Sequence, residues 1–232
     1  MTPSVQALFI TGTDTDAGKT HVAVALLRAL VNAGFRAAGM KPVAAGFAKG
    51  EDVNPDVAAL RAAGNVDAPI SDVNPYVFAD PVAPHLAAEA TGVAIRLPVI
   101  AQAFDRLRIS ADALVVEGAG GALVPLDRAH DMLDIAAALK LPVLLVVGMR
   151  LGCLNHALLT ALAVQSRGLA LAGWIANELP PGMPLLRENI ETLTARLGVA
   201  PIDIVEAGHV PVFDASRLAM LGFTQGTLAP SC

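Results

Sequence analysis

Ten residues near the start of the chain, Thr11-Gly-Thr-Asp-Thr-Asp-Ala-Gly-Lys-Thr20, constrain the fold more than any other stretch. They follow the apolar run Val5 to Ile10. They lead into Val22-Ala-Val-Ala-Leu-Leu-Arg-Ala-Leu30, which is apolar along one face at helical spacing. A short buried strand, a tight loop and a helix start form an arrangement that holds phosphate. Loop amides point inward, and the helix N-terminus adds partial positive charge. Lys19 offers a full charge to terminal phosphates, and Thr20 offers a hydroxyl to Mg²⁺.

The loop departs from the Walker A pattern, which needs four residues between its first glycine and Gly-Lys. Five residues lie between Gly12 and Gly18, and Thr13 stands where the glycine should be. The functional half, Gly18-Lys19-Thr20, is intact. The competing reading is an ordinary strand–helix turn that contains Gly-Lys-Thr. The agreement of strand, loop and helix around the loop argues against it.

The chain has 232 residues, of which 54% are hydrophobic and 16% charged. That suits one domain over residues 1–232, with helices packed closely on a sheet and a partner surface to cover what is left. The net charge is −5 with no basic stripe, which argues against nucleic acid as a partner. Positive charge for a nucleotide must then be local, from a few lysines, a metal and helix ends. Cys153 and Cys232 make neither a disulfide framework nor a metal site. The start of the chain lacks a basic segment followed by an apolar signal core. Asp134, Lys140, Pro142 and Arg167 interrupt the apolar stretches, so the expectation is a cytoplasmic protein with no membrane span.

Taken in order, strand 5–10 and the loop precede a helix from Lys19 to Ala33, closed by Gly34. Arg36 to Lys41 reads as a strand that Pro42 ends. Lys41 thus falls at a strand's carboxyl end, the edge where open α/β sheets bind ligands. Residues 43–55 read as loop, 57–63 as a short helix, and the proline-punctuated 65–84 as irregular. Helical patterns follow at His85–Ala90 and Leu97–Leu107. Ala113-Leu-Val-Val-Glu117 is a strand that runs into Gly118-Ala-Gly-Gly121. Helices at Asp131–Leu139, Asn155–Gln165 and Pro184–Leu197 alternate with strands at Pro142–Val147 and Leu171–Ala176. Ile202–Val205 and Val210–Phe213 are short strand candidates, and Ala215–Met220 a last helix. This alternation predicts a doubly wound, mostly parallel α/β sheet with helices on both faces. The low-charge tail Thr224–Cys232 is expected to be poorly ordered.

Phosphoryl transfer needs positioning, a metal and positive charge more than covalent help. Lys19 and Lys41 are the available cations, and Thr20, Asp56 and Glu117 are oxygen ligands suited to a hard cation. Each has a plainer alternative. Lys41 could be a solvated strand-end lysine, and Asp56 only a helix cap. Glu117 is harder to set aside, because a carboxylate ending a buried strand is costly unless paired or metal-bound. His85 and His156 could do acid–base work or make structural contacts; no carboxylate partner is near in sequence. Cys153 lies at a helix start, which would lower its pKa, but with no resolving cysteine or base it reads as a small packing residue. Trp174 reads as core. Asn177 could read a base edge or close a turn.

These residues in this order resemble the dethiobiotin synthase family. The resemblance runs through Thr11–Thr20, Lys41-Pro-Val-Ala-Ala-Gly46, Val73-Asn-Pro-Tyr76, Pro84-His85 and Val116-Glu-Gly-Ala-Gly-Gly121. It continues through Val146-Val-Gly148, Gly152-Cys-Leu-Asn-His156 and Gly173-Trp-Ile-Ala-Asn177, and weakens after Leu197. The five-residue loop is this family's own form.

The resemblance implies a P-loop NTPase-like fold, a homodimer, and an ATP- and Mg²⁺-dependent ligase of biotin biosynthesis. Its substrates would be 7,8-diaminononanoate, CO₂ and ATP. By the same resemblance Lys41 is the active-site lysine, Lys19 holds phosphates, and Thr15 lies near the transferring phosphoryl group. Thr20, Asp56 and Glu117 hold magnesium. The nucleotide is met by Asp16, Ala17, Gly18, Lys19, Thr20 and His21, by Glu117, Gly118, Ala119 and Gly120, and by Asn177 with Pro211, Val212 and Phe213. The substrate is met by Thr15, Lys41 and Ala45, and across the dimer interface by Gly152, Cys153 and Asn155.

Two positions depart from the family. Ala45 stands where serine touches the substrate, at a net cost of about 1 kcal/mol for the lost hydroxyl contact. Asp16 stands where glutamate is common. The main rival is a dimerising nucleotide-switch ATPase of the partitioning type. Such proteins usually carry a second lysine where this chain has Thr13. Amide-forming cobyrinate ligases need a glutaminase domain for which the chain is too short. A non-catalytic nucleotide-binding module would not need Lys19, Thr20, Lys41, Asp56 and Glu117 all intact.

Overall fold

The structure is a computed structural model and describes residues 6–47 and 53–225. β1 (Gln6–Gly12) feeds α1 (Lys19–Asn32) and then β2 (Ala37–Met40). An excursion follows: β3 (Val43–Ala45), α2 (Pro55–Ala63), α3 (Ile70–Val73), β4 (Tyr76–Phe78), α4 (Pro84–Thr91) and α5 (Leu97–Ser110). The chain returns as β5 (Ala113–Gly121), α6 (Met132–Leu139), β6 (Val143–Met149) and α7 (Cys153–Ser166). It ends with β7 (Leu171–Glu178), α8 (Leu186–Leu197), β8 (Asp203–Val205) and α9 (Ala215–Met220).

Six strands form one sheet in the order β2-β5-β1-β6-β7-β8, and every pairing is parallel. The chain moves from β1 out to β2, returns to β5 between them, then crosses β1 to β6. The winding therefore reverses beside β1, and the carboxyl ends of the strands open a crevice at that reversal.

Successive side chains alternate between two cores. Leu8 and Ile10 pack with α1 on one face, and Phe9 packs with α5 and α6 on the other. Ala113 and Val115 join the first core, Leu114 and Val116 the second. Leu145, Val147 and Trp174 extend the second face beneath α7 and α8. Burial on both faces is why β5 and β6 read as continuous apolar runs rather than as alternating ones.

Several elements differ from the sequence reading. Val43–Ala45 and Tyr76–Phe78, read as loop and irregular chain, pair in parallel as a second, two-stranded sheet. Three-residue strands bounded by prolines carry too little periodicity to be visible. β1 and β5 extend through their glycines to Gly12 and Gly121. Val210–Phe213 is not a strand. Pro211 has no amide, and the Val212 amide donates to Asp203 Oδ2 at 2.9 Å instead of to a ladder. At the tail, Thr224 exchanges hydrogen bonds of 2.7 and 2.6 Å with Gln6 at the start of β1. The rest of the stretch expected to be disordered, 226–232, lies outside the described residues. Among the described residues no helix is long and apolar enough to cross a membrane.

Candidate active site

The loop after β1 is fixed from both sides. The Thr13 amide donates to the Val146 carbonyl at 3.0 Å, and the Gly148 amide donates to Thr13 Oγ1 at 3.2 Å. The longer loop is thereby stitched to β6, and Thr13 has a structural task where a Walker glycine would have none. A Cβ on Gly12 would lie 3.1 Å from Lys19 Cγ, so the missing side chain leaves room for the lysine stem. Lys19 Nζ, buried beneath the loop, donates to the Asp14 carbonyl at 2.9 Å. Asp14 also pairs with Arg150.

Gly18 caps α1 with φ 95, a left-handed conformation that glycine adopts without strain. A Cβ there would also collide with Nδ2 of Asn177. Asn177, buried at the end of β7, donates that Nδ2 to the Ala17 carbonyl at 2.9 Å. Among the described residues no side chain caps α1, and its first turn carries no acid. Its first amides and positive dipole end are left for an anion.

Four side chains meet above β2 and β5. The parallel register sets Met40 opposite Val116, so Lys41 and Glu117 follow side by side. Lys41 Nζ donates to Glu117 Oε1 and to Asp56 Oδ2, each at 2.6 Å. Thr20 Oγ1, from α1, donates to the same Glu117 Oε1 at 2.7 Å. Asp56 arrives in the first turn of α2, capped not by Asp56 but by Asn54, whose Oδ1 accepts from the Asp56 amide at 3.0 Å. The cap belongs to Asn54, which leaves the Asp56 carboxylate for Lys41.

Lys41 is 4% exposed and Glu117 fully buried, while the Asp56 side chain keeps 41% exposure. Burial pushes the Lys41 ammonium down, but the Glu117 and Asp56 carboxylates outweigh burial and hold its pKa above the ordinary lysine value. Burial likewise pushes Asp56 up, and Lys41 outweighs it, leaving the carboxyl below its usual range. Lys19 goes the other way. Burial first, and the Lys41 charge second, lower its pKa.

Glu117 Oε2 is buried and has no hydrogen-bond partner among the described residues. An orphaned carboxylate oxygen is costly, and a cation beside it would remove that cost. Thr20, Asp56 and Glu117 therefore fit a hard divalent cation. They supply a hydroxyl and two carboxylates, short of the three or more acidic, His or Cys groups of an all-protein cage, which none of the described residues form.

Around these groups lies a cavity of about 720 Å³. Thr15, Asp16, Gly18, Lys19, Thr20 and His21 line it from the loop and α1. Lys41, Ala45, Asp56, Glu117, Ala119 and Gly120 line it opposite, and Pro81–Pro84 with Val124 close one wall. Ala17 lies buried beneath the loop, and Gly118 packs on Phe9. Gly152, Cys153 and Asn155, at the start of α7, do not line this cavity. Nor do Pro211, Val212 and Phe213, which run along α1 and border a separate groove of about 450 Å³. That segment is tied to the site through His21 Nε2, 2.8 Å from the His209 carbonyl.

Cys153 is buried, and burial pushes its thiol up despite the amides of Arg150, Cys153 and Leu154, contrary to the lowering that a helix start suggests. It packs as a small core residue. Trp174 is core, as expected, with Nε1 donating to the Val199 carbonyl at 2.9 Å. His156 is exposed. His85 borders a smaller cavity of about 260 Å³, and its buried Nδ1 has no partner among the described residues. The sequence reading missed Asn54 and Asn74, both buried beside the site. Asn54-Pro55 looked like a loop marker, and Asn74 was visible only inside the Val73–Tyr76 motif.

A glycine-bounded loop running into a helix, a buried lysine beneath it, and oxygen ligands at the carboxyl ends of a parallel sheet define a P-loop nucleotide-binding protein. A family model described as an AAA domain matches residues 6–215. The ATP-dependent dethiobiotin synthetase BioD of Aromatoleum aromaticum is 50% identical over 216 residues, covering 92% of this chain and 95% of that protein. The protein of the same name from Ralstonia nicotianae is 53% identical over 187 residues, covering 80% of this chain and 82% of that protein. A ParA family ATPase from Chlorobium tepidum superimposes with a TM-score of 0.52 over 94% of this chain and 89% of that one, at 11% identity, a likeness of fold alone. The chain belongs to the dethiobiotin synthetase family.

Proposed function

We propose that the chain is an ATP-dependent ligase that converts 7,8-diaminononanoate and CO₂ to dethiobiotin in biotin biosynthesis, acting as one catalytic domain in the cytoplasm. One amine of the diamine captures CO₂ as a carbamate and releases a proton. The carbamate oxygen takes the γ-phosphoryl group of ATP, forming a carbamic–phosphoric anhydride and ADP. The second amine attacks the anhydride carbon, closes the ureido ring and expels phosphate.

The observation that carries this reading is the Lys41 ammonium, buried and 2.6 Å from both Asp56 and Glu117 on the floor of the cavity. Because those carboxylates keep it protonated, Lys41 serves as a fixed cation and not as a base. Two anions, carbamate and ATP, must meet, and a preorganised positive charge lowers their repulsion. Lys19 gains a phosphate partner that offsets its burial, and Thr15 faces the transferring group from the loop. Thr20, Asp56 and Glu117 would hold Mg²⁺, which when bound neutralises phosphate charge. The remaining loop and strand residues, Asp16 to His21 and Gly118 to Gly120, would meet the nucleotide through backbone and short side chains.

Asn177 supports adenine over guanine. One of its two N–H groups donates to the Ala17 carbonyl, and the other, with Oδ1, forms a donor–acceptor pair that matches N7 and the 6-amino group of adenine and not N7 and O6 of guanine. Pro211–Phe213, joined to α1 through His209, would flank the base. Gly152 and Asn155, exposed at the start of α7 and outside the cavity of their own chain, suit a role in a second copy's site, and Cys153, buried between them, would support it by packing. Leu151, Leu159 and Leu162 beside them are 94%, 56% and 61% exposed, an apolar face that a second copy would cover.

The test is ADP release from MgATP with and without the diamine and bicarbonate. Release that needs both and is lost in Lys41→Ala supports the reading. Release independent of the diamine overturns it.

A further inference from the structure

We infer that Asn74 is a positioning residue for Lys41, a role that rests on the reading of Lys41 given above. The sheet ladder of β2 ends at Met40, the last residue paired with β5. Lys41 lies one residue beyond, so the sheet does not hold its main chain. The segment Val73–Tyr76 does. The Lys41 amide donates to the Val73 carbonyl at 2.8 Å. Nδ2 of Asn74 donates to the Lys41 carbonyl at 2.6 Å and to the Tyr76 carbonyl at 2.9 Å. Both polar groups of the Lys41 backbone are thus fixed by one short segment, and both protons of one buried amide are committed to it.

That segment is itself anchored. The Asn74 amide donates to the Ile70 carbonyl at 2.7 Å. The carboxylate of Asp72, nearly buried, pairs with Arg106 of α5 at 2.8 Å. The Arg96 amide donates to the Tyr76 hydroxyl at 3.0 Å. Asn74 therefore transmits a rigid frame to the base of a long, flexible side chain whose ammonium must meet two carboxylates at 2.6 Å. A small rotation of the Lys41 backbone is amplified along that stem. Among the described residues the loop and Lys19 have no bond to Asn74, and Lys19 meets the change only through the Lys41 charge.

The prediction is separable by residue and by kinetic constant. In Asn74→Ala, kcat falls by about 10- to 100-fold, the size expected of a misplaced charge, while KM for ATP changes by less than about twofold. The chain has four lysines, Lys19, Lys41, Lys49 and Lys140, so amine acylation resolved by mass spectrometry reads Lys41 directly. Its acylation rate rises about 5- to 30-fold, as for the loss of one or two hydrogen bonds, and that of Lys19 does not rise. Asn74→Asp, nearly isosteric but without the donor, reproduces both effects.

Lys19 and Lys41 becoming reactive together would indicate general loosening and overturn the inference. So would an unchanged Lys41 rate, or variants that do not fold at all. A wild-type protein with no diamine-dependent turnover would count against the proposed reaction, while the acylation comparison would still decide the role of Asn74.

Discussion

Replacing Lys41 by methionine tests the description of the charged cluster without reference to any reaction. In the native protein the fully buried Glu117 carboxylate is hydrogen-bonded, among the described residues, by one cation, Lys41 at 2.6 Å, and one hydroxyl, Thr20 at 2.7 Å, both on Oε1. Lys41→Met keeps the apolar stem and removes the ammonium, leaving the carboxylate with the hydroxyl as its one hydrogen-bond partner among the described residues. Breaking a buried pair from one side costs about 3–5 kcal/mol. For a chain of this size that lowers the melting temperature by roughly 6–20 °C. Asp56, with a half-exposed side chain, regains water and adds little. The second change, Glu117→Gln, removes the stranded charge, so Lys41→Met/Glu117→Gln recovers most of the loss. Urea unfolding of the four proteins at neutral pH, without nucleotide or metal, measures the coupling. A Lys41→Met cost below about 1 kcal/mol, or a double variant less stable than Lys41→Met, would refute the buried pair as described here.

Three further outcomes follow from the same geometry. Lys19→Met melts higher than wild type without nucleotide, because it removes a buried cation whose pKa is lowered by burial, yet it loses nucleotide binding in calorimetry. Gly18→Ala, strained at φ 95 and colliding with Asn177, loses about 1–3 kcal/mol of stability together with nucleotide affinity, read by melting and titration. The stability difference between wild type and Asp56→Asn, which leaves the Lys41–Glu117 pair in place, stays flat between about pH 5 and 9. Asp56, lowered from 3.8, gives up its share only as pH falls below that value, and Lys41, raised from 10.5, only as pH rises above it. A slope inside that window, in unfolding measured across pH, would contradict these directions.

The parallel sheet and its ligand edge were legible because each central strand is a short apolar run followed by glycine or proline. The phosphate loop was legible for the same reason, although its stitching through Thr13 to β6 was not. Glu117 announced itself as a carboxylate in an apolar run. Its contact with Lys41 could not be read from spacing, since it depends on which strand lies beside β2. Asp56 was ambiguous in sequence because a carboxylate at a helix start resembles a cap, and Asn54 took that role instead. Cys153 is the packing residue the sequence suggests, and only the lowering expected of a helix start fails, because burial outweighs it. Asn177 was recognised as a strand-end amide, but its bond to Ala17 joins elements 160 residues apart. The two short strands β3 and β4 exist only through each other, so neither leaves a local signal.

The most direct test of the central claim is a single turnover with MgATP, 7,8-diaminononanoate and carbon-labelled bicarbonate, quenched in acid. Free carbamate loses its label as CO₂ in acid, whereas a closed ureido ring keeps it. Acid-stable label equal to the ADP formed, and absent in Lys41→Ala, is the predicted result. ADP formed without acid-stable label would contradict the account.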